Sequence, residues 1–306
     1  MLLRVILFRL GQGVLVIIGV TLVVFLATFL TGDPAALMLG EGATAEQVEA
    51  FRHQMGFDRP LAVQYLSFLT RAARGDFGMS LHYRQPNVRL VLERLPATLE
   101  LSALGLLIGF ALAVPAGILA AVKRNTWFDT LIMGFSLLGQ ATPVFWLGIM
   151  LILVFAVGLG WFPASGRGGF AHLVLPALNL SVFPLAYTVR LLRSTMVEVL
   201  GEDYVKTARA KGLKEFLVVN KHALRNALSP VVTMVGIQIA TFMGGAIIIE
   251  TIFAWPGVGR LVIQAILTKD FPLVQTTVAF WAFVFVVVNL LVDIAYHILD
   301  PRVKFR

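Results

Sequence analysis

Apolar residues run almost unbroken over 10–30, 97–122, 130–158, 173–193, 230–249 and 274–296, and polar residues gather between those blocks. A helix rises 1.5 Å per residue, so about 20 apolar residues cross the ~30 Å hydrocarbon layer. Each block reaches that length, and the pattern predicts an all-α integral membrane protein with six transmembrane helices. The first block follows Arg4 and Arg9 and lacks a small-residue cleavage site, so it reads as a retained span rather than a signal peptide. The pattern divides the chain into an N-terminal span (1–31), an extracytoplasmic helical segment (32–95) and a core of five spans (96–306).

The 32–95 segment has helical signals of its own. Thr44 and Gln47 have capping-box spacing, Val48, Phe51 and Met55 follow at helical spacing, and Gly56 is a stop. Pro60 can open a second helix through Tyr65, Leu66 and Leu69 that closes near Gly75. Gly75-Asp76-Phe77-Gly78-Met79-Ser80 reads as a turn. Such a helical cap serves either as scaffold or as a contact for a protein outside the membrane.

Composition agrees with the membrane reading. Of 306 residues 58% are hydrophobic and 14% charged, with a mean hydropathy of +0.85, against about 25% charged in soluble domains. The net charge of +8 has no soluble basic domain to sit on, so it reports membrane asymmetry rather than nucleic-acid binding. Arg4, Arg9, Lys123, Arg124, eight basic residues from Arg190 to Arg225, and Arg302, Lys304 and Arg306 fall on one side; only Arg167, Arg260 and Lys269 lie in the short loops opposite. The excess of basic residues predicts cytoplasmic termini and a cytoplasmic loop after the fourth span. Cysteine is absent, which excludes disulfides, thiolate metal sites and cysteine nucleophiles. No G-x-x-x-x-G-K-[ST], G-x-S-x-G or H-E-x-x-H sequence occurs. The chain is therefore not expected to bind ATP or a metal, or to be an enzyme.

Several spans are interrupted by proline. Pro115 lies within the second, Gly139-Gln140-Ala141-Thr142-Pro143 should bend the third, and Pro176 and Pro184 flank Asn179 and Ser181 in the fourth. Freed carbonyls inside a bilayer need partners, so these places are packed or mobile. Gln140, Thr142, Asn179, Ser181, Gln238 and Thr241 are candidates for a polar pathway, although such residues also serve as ordinary interhelical bonds. The fifth span ends at Glu250 and leads through Trp255-Pro256-Gly257 to Arg260, a candidate outer gate on a short surface or re-entrant helix. Asn289, Asp293 and His297 share one face of the last span; Asp293 lies about a turn from its inner end and fits an interfacial residue.

Between the fourth and fifth spans, the loop 198–230 is highly charged. Gly201 can end one helix, Glu202 or Asp203 can cap another, and Gly212 can stop it. Tyr204, Val205 and Ala208 share a face, with Lys206 and Arg209 elsewhere, and Ala208, Ala210 and Gly212 keep the surface low. On spacing alone this is either an amphipathic helix on the membrane surface or a docking element. The order of residues goes further. Glu202-Asp203-Tyr204, Thr207-Ala208-Arg209-Ala210-Lys211-Gly212, His222-Ala223-Leu224-Arg225-Asn226-Ala227 and Pro230 resemble the EAA loop of ABC-importer permeases in its dipeptide/oligopeptide form. Lys206-Thr207-Ala208 stands where the general motif has Glu-Ala-Ala. The Gly75–Ser80 turn, Glu250–Arg260, Gly32-Asp33-Pro34, Pro143–Trp146, Gly160–Pro163, His172–Pro176 and Asp300-Pro301-Arg302 extend the resemblance over nearly the whole chain.

The resemblance implies a translocation subunit in a bacterial cytoplasmic membrane, in which Glu202–Gly212 is a coupling helix that docks into an ATPase. It also implies a homologous second permease, two ATPase subunits carrying ATP and Mg, and an extracytoplasmic substrate-binding protein. Substrates of such systems include dipeptides, oligopeptides, glutathione, nickel chelates and sugars. A stand-alone proton- or sodium-coupled transporter is the alternative, with Glu250 and Asp293 as its candidate carboxylates.

Overall fold

The computed structural model describes residues 2–30, 32–40 and 42–299. Side chains of 2–7, 233, 235–237, 239–245, 293 and 295–299 are outside the description, so Thr241, Asp293 and His297 are not placed, and neither is Asp300-Pro301-Arg302. Among the described residues the structure is helical apart from one isolated bridge between Met79 and Pro86.

The helices are α1 (Leu2–Leu30), α2 (Pro34–Leu39), α3 (Ala45–Met55), α4 (Leu61–Ala72), α5 (Asn87–Val122), α6 (Trp127–Ala141), α7 (Val144–Leu151), α8 (Ala171–Leu200), α9 (Asp203–Ala210), α10 (Glu215–Leu217), α11 (Leu224–Ile252), α12 (Val258–Leu267) and α13 (Phe271–Leu299). α7 continues as a π-helical stretch, Ile152–Gly158, and α10 as another, Val218–Ala223. Among the described residues, four helices are long and apolar enough to cross a membrane: Phe8–Leu30, Asn87–Val122, Ala171–Leu200 and Phe271–Val292. Trp127–Ala141 with Val144–Gly158 makes a fifth if counted as one span, but the two halves meet at 104°. Pro143, which donates no backbone N–H, sits at that corner with φ −61° and ψ 132°. α11 has 29 residues, and its central side chains fall outside the description. The second span is longer than its apolar block. α5 starts at Asn87 and carries Pro96 in its interior rather than at its end.

The chain forms two compact units. One comprises 1–97 with 256–291, and the other 98–255 with 292–301.

In the first unit, local capping signals act as expected. Asp33 accepts from Ala35 N, Thr44 and Gln47 form the reciprocal capping box, and Gly56 takes the left-handed conformation (φ 74°) after α3. α4 buries Tyr65 and Phe68 against Phe25 and Ala279. The Tyr65 hydroxyl donates to Ile18 O at 2.7 Å and lies 2.9 Å from Thr21 Oγ1. Gly13 permits the close approach of α1 and α13, since a Cβ there would run into Val286 Cγ1.

The 75–87 turn is seated on the α12–α13 junction. Ser80 Oγ donates to Asp270 Oδ2 at 2.5 Å, and His82 N donates to the same oxygen at 3.2 Å. Tyr83 OH donates to Gln264 Oε1, and Asn87 Nδ2 and Thr276 Oγ1 both donate to Phe77 O. Beneath it Leu90 and Val91 pack with Val258, Leu261, Val262 and Leu273. An Asp270→Ala variant leaves the buried Ser80 hydroxyl without its acceptor, a cost of about 1–3 kcal/mol, and also removes the part-buried bond from His82 N. The expected result is faster proteolysis between 76 and 86 with the spans still inserted; a cleavage rate equal to wild type would remove Asp270 as the tie.

In the second unit α5 meets α8 through glycines. Cβ atoms built at Gly105, Gly109 and Gly117 would come 3.0–3.2 Å from Leu180, Pro184 and Leu192, the small-residue contact that lets membrane helices approach. Both α11 and α6 pack along α8. At the start of α6, Asp129 is buried, accepts from Asn125 N at 3.0 Å, and takes both Nε and Nη2 of Arg193 at 2.5 and 2.6 Å. Ala121, Leu192, Met196, Val219, Ala223, Ala227 and Val231 form a core beneath the end of α8.

Candidate functional site

α8 ends at Gly201, whose N–H donates to Glu198 O, and the chain turns extended at Glu202 (φ −68°, ψ 148°) before α9 begins. Glu202 occupies the N-cap position, yet its side chain makes no capping bond. With Asp203 in the first turn, the two acids favour the positive end of the helix electrostatically instead. Asp203 also pairs with Lys206 at 2.8 Å. Gly212 stops the helix in the left-handed region (φ 76°), two residues beyond Ala210, and a Cβ added there would meet nothing within 4 Å. Its constraint is thus conformational rather than steric.

Three ties hold this short rod to its own chain. Val205 and Ala208 are buried against Val218, with Val199 and Leu200 alongside. Tyr204 OH accepts from Asn226 Nδ2 at 2.7 Å. Arg209 bridges the Gly212 turn to Glu215 with contacts of 2.7 and 3.1 Å; its guanidinium holds the Glu215 carboxyl below the ordinary carboxylate value. The expected common face of Tyr204, Val205 and Ala208 is therefore split. Val205 and Ala208 turn inward, while Tyr204 is 41% exposed. Asp203, Lys206, Thr207, Arg209, Ala210 and Lys211 are exposed as well. A helix anchored on one side and polar on the other can transmit force. Sequence spacing missed Val218, Glu215 and Asn226 as its supports, although Asn226 lies inside the quoted His222–Ala227 stretch.

The pathway candidates separate into kinds. Gln140 and Thr142 are half-buried beside the 104° corner, and Thr142 Oγ1 donates to Leu138 O within its own helix. Ser181 is buried and likewise donates locally, to Leu178 O. Asn179 is buried and donates to Val144 O at 3.2 Å, but its Oδ1 has no partner among the described residues. Both amide atoms of buried Gln238 are in the same condition. Gly148 makes room for Asn179, since a Cβ would stand 2.6 Å from Nδ2. A Gly148→Ala variant is expected to break the Asn179–Val144 bond. It should lower thermal stability by about 1–3 kcal/mol, read by melting of the purified protein, and an unchanged melting point would contradict it.

Of the outer-gate candidates, Glu250 is fully buried and accepts from Thr98 Oγ1 at 2.6 Å. Trp255 is buried and its backbone N–H donates to Glu250 O, with the Arg167 guanidinium 5.7 Å from its ring centre. Arg167 also pairs with Glu100 at 2.7 Å. Arg260 lies in α12, in the first unit, and is half-buried. No cluster of His, Asp and Glu able to hold a metal occurs among the described residues.

Comparison with known proteins places this arrangement. Residues 113–305 match the family described as binding-protein-dependent transport system inner membrane component, and residues 2–102 match its N-terminal companion. The dipeptide transport system permease protein DppB of Escherichia coli is 40% identical, over 99% of each chain. The di/tripeptide transport system permease protein DppB of Pseudomonas aeruginosa is 42% identical, over 97% of this chain and 98% of that one. Among solved structures, the inward-facing MetNI methionine ABC transporter shares the fold with a TM-score of 0.59 and 18% identity, over 69% of this chain and 96% of its own. With an apolar helical frame, an anchored charged loop and matches of this length, the chain belongs to the inner-membrane components of binding-protein-dependent transport systems, the permease subunits of ABC importers.

Proposed function

We propose that this permease passes di- and oligopeptides across a bacterial inner membrane, with α9 as the lever that receives the stroke of a separate ATPase. Peptides are the cargo named for the E. coli and P. aeruginosa relatives. In this reading α11 and the bent pair complete six spans, and the excess of basic residues puts both termini and the 198–230 loop in the cytoplasm. A second homologous permease, two ATPase subunits binding ATP and Mg, and a binding protein outside complete the particle. The observation that carries the lever role is the two-sided build of α9. Val205 and Ala208 are locked into the chain's own core, while the opposite face is exposed.

ATP-driven closure of the ATPase dimer would move the exposed face, and the locked face would hand that motion to α8 and α11. A nucleotide can shift such an equilibrium only by contacting the two states differently. A carboxylate carried by the pathway at Glu250, as an ion-driven carrier would need, is poorly supported because Glu250 is already bonded to Thr98.

Gly212→Glu tests the lever directly. Forcing a side chain into the left-handed region costs about 1–2 kcal/mol and misdirects the end of α9. In proteoliposomes holding the whole transporter, dipeptide uptake should drop at least tenfold while the ATPase chains still co-purify and hydrolyse ATP. Wild-type uptake by this variant would overturn the coupling role. Failure of any ATPase to co-purify with the wild-type chain would overturn the assembly.

A further inference from the structure

The first unit carries a half-open cavity of about 540 Å³ lined by α1, α4, the 75–87 turn, α5 and α13. That volume is in the range of small-molecule sites, about 300–1,000 Å³. Its walls are almost wholly apolar, and the only polar side chains on them are Thr21 and Thr276. Both are already satisfied. Thr21 Oγ1 donates to Ile17 O at 2.7 Å and neighbours the Tyr65 hydroxyl, and Thr276 Oγ1 reaches Pro272 O and Phe77 O. The cavity therefore offers nothing to a peptide or to another polar solute, and water inside would find no bonds. Hydrocarbon is the occupant its chemistry accepts.

Two further observations say which hydrocarbon. The α1 and α13 walls belong to the membrane-crossing segments Phe8–Leu30 and Phe271–Val292, so an acyl chain can enter from the bilayer without crossing water. At the other wall, Ala72 and Ala73 of the α4 end line the cavity, and Arg71 and Arg74 flank them. Both arginines are exposed, and neither makes an ion pair among the described residues. Exposed arginines next in sequence to the wall of an apolar slot match an amphiphile whose anionic phosphate stays at the interface while its tail is buried.

We infer that this cavity holds one acyl chain of a membrane phospholipid from the leaflet on the α2–α4 side, with the headgroup phosphate on Arg71 and Arg74. The lipid would act as a wedge joining α4 to α1 and α13, apart from any pathway for cargo.

The test uses the chain purified from the membrane with the subunits that accompany it, in mild detergent, with retained lipid counted by native mass spectrometry. Wild type should retain one phospholipid per permease chain. Ala279→Phe and Ala72→Phe, which fill the cavity from two different walls, should cut that retention at least tenfold; Arg71→Glu with Arg74→Glu should cut it several-fold and remove any preference for phosphatidylglycerol over phosphatidylcholine. Equal retention in wild type and filled variants overturns the inference. If both filled variants fail to fold, the absence of cysteine allows a single bimane label at Leu69→Cys in the otherwise unchanged chain. Phospholipids brominated on the acyl chain should quench it. No quenching, or cross-linking of the same cysteine to a companion permease, would show the cavity to be empty of lipid or filled by protein.

Discussion

Peptide uptake through a Val205→Asp variant is expected to fall to the level of empty vesicles, with ATP hydrolysis by the associated ATPase retained but no longer answering to substrate. Val205 is fully buried, in contact with Ala208 and Val218. Losing its burial costs about 2 kcal/mol, and a carboxylate placed there without a partner costs more. The eight-residue α9 is too short to persist without its packing, so the rod should detach while the spans, whose cores lie elsewhere, still insert. Val205→Ala should keep most uptake, because it loses methyl groups without burying charge. Reversing the exposed Lys206 and Lys211 together should weaken ATPase association and leave α9 packed. Parallel assays of uptake, hydrolysis and co-purification separate the three outcomes. Normal uptake with Val205→Asp would mean that α9 need not be anchored to act.

The second large effect is expected at Asp129 and Arg193. This bidentate pair joins the start of α6 to α8 about two turns before the end of α8, and the Asp129 and Arg193 side chains are only 7% and 23% exposed. Asp129→Ala leaves the guanidinium half-enclosed without its carboxylate, a change worth about 3 kcal/mol when a buried pair is broken. The purified transporter should melt several degrees lower. The double variant Asp129→Ala with Arg193→Met should recover much of that loss, since no uncompensated charge remains. Equal melting of the single and double variants would show that the pair contributes nothing beyond packing.

Features set by neighbours along the chain were legible before the fold. The Thr44–Gln47 cap, the stops at Gly56 and Gly212 and the corner at Pro143 each depend on a few adjacent residues. The reach of α5 back to Asn87 was not, because apolar content marks the part of a helix in lipid and says little about a polar extension beyond it. Nor were the long-range ties legible. Asp270 binds Ser80 across 190 positions, Arg193 finds Asp129 across 64, and Asn226 meets Tyr204 across 22. Each residue type fits many partners, and only the packed chain selects one. The same reason explains α9: spacing grouped Tyr204 with Val205 and Ala208, and the position of Val218 decided which of them turned inward.

The corner between α6 and α7 has a consequence for what can surround the molecule. The fifteen residues of α6 rise about 22 Å, short of the ~30 Å that a bilayer demands. At the 104° elbow the ladder of main-chain bonds is interrupted, and half-buried Gln140 and Thr142 stand beside it. Lipid tails cannot coat such a place, because they offer no donors or acceptors to the loose ends. Such a corner must therefore be wetted or covered by protein, and α8 supplies part of that cover where Asn179 donates to Val144 O.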